Sequence, residues 1–175
     1  MFLINTKNTK LFFSKATILM LVALLFFSFK FSDWEFDKKY RTIIHKSISE
    51  IFNSDTYIIE ELEEFEDAFY SVKESENIIG YFVVTKAPSK FHQFDYYIIF
   101  NAKTDILKIE ILQYRENYGA EICNKRWLQQ FKNINTTSIF EFNSSVDGIS
   151  GATISVNSLK KDVFKLRNVL KKKIK

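Results

Sequence analysis

Asp147, Ser150, Thr153 and Ser155 fall within nine residues, D-G-I-S-G-A-T-I-S, that lead into a lysine-rich amphipathic run. The chain has only four glycines, and Gly148 and Gly151 are two of them. Glycine gives the backbone turn geometry and close approach. A helix that follows such a turn starts with amides that lack intrahelical partners, and its dipole favours an anion there. The hydroxyls of Ser150, Thr153 and Ser155 would gather at that point. Two chemistries fit: a seat for a phosphate, or a plain helix cap in which Ser or Thr satisfies the free amides. The stretch is not a Walker loop, and the chain has no G-x-G-x-x-G.

The elements around this stretch read as follows. A helix is expected from about Ser155 to Lys172, with Val156, Leu159, Val163, Leu166 and Leu170 at steps of three and four. Upstream, Gly119 to Phe131 reads as a helix with Ile122, Trp127, Leu128 and Phe131 facing inward. Residues 133–146 are polar and irregular, with a short strand possible at Ile139 to Phe142. Before them come three strand-like runs, Ile78 to Lys86, Phe94 to Asn101 and Ile106 to Tyr114. Turns are expected at Ala87 to Lys90 and Ala102 to Asp105, and such short connections imply an antiparallel meander. One face would be buried against helices, giving an α+β domain. Phe36 to Ile51 has helical spacing, and the acidic run within Ile58 to Asp67 reads as a solvated face or loop.

Charge along the chain is uneven. Residues 1–30 carry four lysines and no acid, which leaves 21 basic and 21 acidic residues in the remainder. Residues 160–175 hold eight basic residues and one acid, so the body from 31 to 159 has a net charge of −7. That pattern excludes a basic nucleic-acid-binding face. Basic residues near the end of the last helix complement its dipole, with attraction to a membrane surface as a possible second role.

The uncharged run from Ala16 to Phe29 is flanked by Lys15 and Lys30. With snorkelling lysines, Leu11 to Trp34 is long enough to span a bilayer. A cleaved signal peptide is the rival reading, but the exit F-S-F-K-F-S-D-W has no A-x-A site. We expect a signal anchor over 1–34, a helical and acidic connecting segment over 35–74 and a binding domain over 75–175. The domain is expected outside the cytoplasm, facing the periplasm or cell exterior. His45 and His92 lack companions at metal-ligand spacing, and Cys123 reads as a structural thiol.

Val146-Asp147-Gly148-Ile149-Ser150-Gly151-Ala152-Thr153 resembles the V-D-A-x-S-G-A-T signature of the FMN-binding domain family. That family occurs in subunits of ion-pumping NADH:quinone and ferredoxin:NAD oxidoreductases and in other exported flavoproteins. The resemblance extends over roughly residues 75–165. Gln113 to Glu121 is similar to the family's H-x-E-T-P-G-L-G segment: Glu116 and Gly119 match, Asn117-Tyr118 replaces Thr-Pro, and Glu121 replaces the final glycine. The resemblance implies that a flavin transferase esterifies the phosphate of FMN to Thr153. It makes Asp147, Ser150, Gly151 and Ala152 the recognition sequence, and places the ring near Glu116 and Gly119. No catalytic or metal-binding residue is implied. The expected role is a membrane-anchored electron relay to or from a redox partner. The alternative is a non-redox binding or assembly module that keeps the fold without flavin.

Overall fold

The computed structural model describes residues 38–132, 134 and 137–174. The expected anchor over 1–34 lies outside the described residues. Among the described residues no helix is long and apolar enough to cross a membrane.

Five strands form one antiparallel sheet in chain order. They are β1 (Ile58–Glu61), β2 (Phe69–Glu74), β3 (Asn77–Pro88), β4 (Gln93–Asn101) and β5 (Ile106–Gln113). Helix α1 (Lys38–Phe52) precedes the sheet. After it come a 3₁₀ turn (Ala120–Cys123), α2 (Lys125–Leu128), a second 3₁₀ turn (Gln129–Phe131), α3 (Ile139–Ser144) and the long α4 (Thr153–Lys173). The expected α+β meander is present, with two strands more than the sequence pattern indicates. The sheet continues without a break across residue 75, because β1 and β2 pair with each other and β2 pairs with β3.

Strand alternation decides what packs where, because successive side chains point to opposite faces. Phe94, Tyr96, Ile98 and Phe100 of β4 join Val156, Leu159, Val163, Leu166 and Leu170 of α4 in one core. Asp95, Tyr97 and Ile99 point the other way and are also buried. There α1 covers the sheet: Tyr40 donates to Asp95 (2.8 Å), and Ser47 hydrogen-bonds Tyr97 (2.7 Å). The expectation of one buried face is therefore corrected to two, which explains the almost unbroken apolar character of F-D-Y-Y-I-I-F.

Asp95 marks where that second face meets polar groups. Arg115 donates two guanidinium bonds to its carboxylate, at 3.2 and 2.5 Å. Burial pushes the Asp95 carboxyl up, but the bonds from Arg115 and Tyr40 outweigh it and hold the group below its ordinary value. A depressed folded-state pKa gives stability that is present above the unfolded value of about 4 and lost as pH falls through the folded value. Asp95→Asn should therefore cost about 2 kcal/mol at neutral pH. Its melting temperature should converge on that of the wild type on acidification; a gap that persists unchanged at low pH would contradict this account.

Three local readings differ from the structure. Gly119 to Phe131 is two 3₁₀ turns around one short α-helical turn, because Asn124 interrupts the run as an N-cap, accepting from the amides of Arg126 and Trp127. The inner face is nonetheless as expected, with Ile122, Trp127, Leu128 and Phe131 all buried. Residues 139–142 are helical, not extended: Ser138 caps the helix through the Glu141 amide, and only Phe142 turns inward. Cys123 is exposed and so has no packing role in the core.

Candidate functional site

The motif turn is held in place before it reaches the helix. Lys160 of α4 is buried, and its ammonium donates to the carbonyls of Asn143 (2.9 Å) and Val146. Burial lowers the pKa of that amine, while Asp147 raises it. Trp127 Nε1 donates to the Asp147 carbonyl (3.1 Å), and the Asp147 amide donates to Gln130 Oε1 (2.8 Å). Two helical segments and a buried lysine thus pin the backbone on either side of residue 147. Asp147 is exposed and lines a notch with Arg126, Glu121 and Trp127.

From there the chain turns through Gly151, at φ +79°, and enters α4. A Cβ at Gly151 would meet no atom within 4 Å, so the glycine serves the left-handed backbone and not a close contact. Ala152 is the N-cap of α4, and no side chain caps the helix. The capping alternative is therefore not realised. Ser155 Oγ instead hydrogen-bonds Tyr114 OH (3.0 Å). Thr153 is exposed, and its hydroxyl has no hydrogen-bond partner among the described residues. Ser150 is exposed on the turn.

A cleft of about 460 Å³ opens at this helix end. Gly151, Ala152, Thr153 and Ile154 line one side, and Tyr114, Glu116 and Tyr118 another. Lys90 and Phe91, from the β3–β4 hairpin, complete it. The volume lies within the range of about 300–1,000 Å³ common for small-ligand sites. A larger groove of about 700 Å³ runs beside α4 past Lys86, Pro88 and Phe164, and contains none of the motif residues.

Gly119 joins the two halves of the cleft. It has φ +76° and is the N-cap of the first 3₁₀ turn. A Cβ there would lie 2.7 Å from Ala152 Cβ and 3.2 Å from the Gly151 carbonyl oxygen. Its value is close packing of the 114–119 loop on the motif turn.

Glu116 is engaged by the protein itself. Its Oε1 accepts from the Ser89 hydroxyl (2.5 Å), the Phe91 amide (2.7 Å) and the His92 amide (3.0 Å). The Ser89 hydroxyl first, and then the Phe91 amide, hold its carboxyl below the ordinary value. The hairpin turn is residues 89–92, closed by the Ser89 amide on the His92 carbonyl (2.8 Å). Ala87 and Pro88, expected in the turn, are still paired with β4. Placing the turn too early hid Lys90 and Phe91 as cleft residues. The readable signal was an aromatic at a hairpin tip, where burial gives it no purpose.

Glu116, Gly151, Ala152 and Thr153 thus meet in one cleft, Gly119 supports it from behind, and Asp147 and Ser150 lie outside its lining. The cleft thus sets the uncapped end of α4 beside the exposed rings of Phe91 and Tyr118. Residues 93–166 match the family model of the FMN-binding domain. The match starts at β4, so β1 to β3 and α1 lie outside it. A search of curated proteins found no match.

Proposed function

We propose that the protein is a membrane-anchored flavoprotein that carries FMN as a phosphoester on Thr153 and relays electrons outside the cytoplasm. The observation that carries the covalent reading is the Thr153 hydroxyl: exposed, without a hydrogen-bond partner among the described residues, and at an α-helix end that none of their side chains caps. Residues 153–155 would turn their amides to the phosphate, where the helix dipole adds to the attraction. In the attachment step a bond forms between Thr153 Oγ1 and the FMN phosphorus of FAD. The bond from that phosphorus to AMP breaks, and the threonine proton passes to the transferase. No neighbouring base in this chain is needed.

Bound flavin would supply the redox chemistry; the protein's part is to hold and orient it. A tether at Thr153 would let the ring lie in the cleft lined by the 89–92 turn and the 114–119 loop. Exposed residues line the cleft, which suits electron exchange with a separate partner. The test is co-expression with an exported flavin transferase: the protein band should fluoresce in a denaturing gel. A dark band in the presence of active transferase would refute covalent attachment.

Topology is a separate prediction, resting on the uncharged run 16–29 and its flanking lysines. The protein should sediment with membranes, and alkaline phosphatase fused after Lys175 should be active. Active phosphatase in the soluble fraction would mean that the amino-terminal segment is cleaved.

A further inference from the structure

We infer that Phe91 and Tyr118 grip the flavin ring from two separate loops, and that Glu116 positions this pair by latching the 89–92 turn without touching the flavin. This rests on the flavin reading above and identifies the residues that hold the ring.

The two side chains have no other evident purpose. Phe91 is 74% exposed and Tyr118 is 82% exposed, yet both line the cleft that contains Thr153. Neither ring stacks on another aromatic among the described residues. Exposed rings on two loops of one cleft offer a planar ligand aromatic surface from each loop, and aromatic systems favour stacked or edge contacts with each other. Ile154, 53% exposed at the start of α4, adds apolar surface beside the tether point.

The hairpin tip is tied to the facing loop by hydrogen bonds. The Phe91 amide itself donates to Glu116, so the carboxylate of one loop holds the backbone that carries the ring of the other. Lys90 Nζ lies 4.9 Å from the centre of the Phe91 ring and keeps a cation beside it. A carboxylate with three donors already on one oxygen is committed to the turn. Its effect on the flavin is therefore spacing: it ties together the two loops between which the ring would sit.

The experiment uses full-length protein flavinylated by co-expressed transferase, with labelling measured by intact mass. Flavin fluorescence yield and its quenching by iodide report how far the ring is stacked. Phe91→Ala and Tyr118→Ala should each lower the ratio of stacked to free ring about two- to tenfold, with higher yield and stronger iodide quenching. Both residues are exposed, so folding should be unaffected. Glu116→Ala should reproduce the Phe91→Ala signal and add little to it in the double variant, while Glu116→Gln, which keeps an acceptor oxygen, should partly restore the wild-type spectrum. Labelled Phe91→Ala and Tyr118→Ala proteins with wild-type yield and quenching would overturn the grip while leaving the flavin assignment standing. Additive effects of Glu116→Ala and Phe91→Ala would overturn the latch. Absence of flavin from the wild type, with active transferase present, would overturn the flavin reading and the grip with it.

Discussion

Thr153→Ala should abolish covalent flavin while leaving the fold intact. The separation follows from the geometry. Thr153 is the first residue of α4, but the N-cap is Ala152, and among the described residues the threonine hydroxyl makes no bond whose loss could weaken the helix. A genuine N-cap would cost about 0.5–2 kcal/mol on truncation; an exposed side chain without such a role should change stability by about 0.5 kcal/mol or less. Intact-mass analysis should show one FMN on the wild type, on a peptide containing Thr153, and none on Thr153→Ala, with nearly identical thermal melts. Thr153→Ser should retain some label because the oxygen nucleophile survives. Ser155→Ala should keep the label, since Ser155 Oγ is turned to Tyr114. Label that persists on Thr153→Ala, or disappears with Ser155→Ala, would show that the attachment residue has been misassigned.

Gly119→Val should have the largest effect on the protein as a whole. A valine there meets two costs. The backbone sits at φ +76°, which a β-branched residue adopts at a cost of about 1–3 kcal/mol. Its Cβ would also stand 2.7 Å from Ala152 Cβ, close to the motif backbone, and overpacking of that kind costs about 1–3 kcal/mol more. The sum, about 2–6 kcal/mol, should lower the melting temperature by roughly 6 °C or more for a domain of this size. Flavin labelling should fall as well, because the 114–119 loop can no longer seat against Gly151 and Ala152. Gly151→Ala is the matching control: at φ +79° with open space around it, it meets backbone strain without a clash and should be milder. Equal melts for Gly119→Val and Gly151→Ala would contradict the packing argument. So would full labelling of a stably folded Gly119→Val protein.

The match of residues 93–166 to the FMN-binding domain family leaves three of the five strands outside it. Those strands are nevertheless hydrogen-bonded into the same sheet, and α1 closes its second face through Tyr40 and Ser47. Removing residues before 75 should therefore expose the edge of β3 and the buried side of Tyr97 and Ile99. The functional motif and the folding unit have different boundaries.

Much of this was legible from residue order. The apolar steps of α4, the inner face of Ile122, Trp127, Leu128 and Phe131, and three strands carry periodicities that local geometry imposes wherever the chain goes. The D-G-I-S-G-A-T stretch was legible as a turn into a helix because a left-handed position needs glycine and a new helix exposes amides. Strands β1 and β2 were hidden for a physical reason. β1 is an acidic edge strand, largely exposed, and its pairing with β2 supplies what its composition does not. The helix at 139–144 was hidden because a single cap bond and one buried phenylalanine decide it.

What the sequence determined by itself, then, is the helix entry, the hydroxyl side chains grouped around it and the apolar faces that must be covered, because these depend on neighbours a few residues away. Only the tertiary structure decided which distant residues share the cleft. The family resemblance places Glu116 near the ligand, and the β3–β4 register adds what no local pattern shows, bringing Ser89, Phe91 and His92 to its Oε1. Gly119 reads as a place for close approach, and the fold makes the approaching group the motif's own Ala152. A hydrogen bond or a van der Waals contact across tens of residues depends on strand pairing and core packing, which no local pattern encodes.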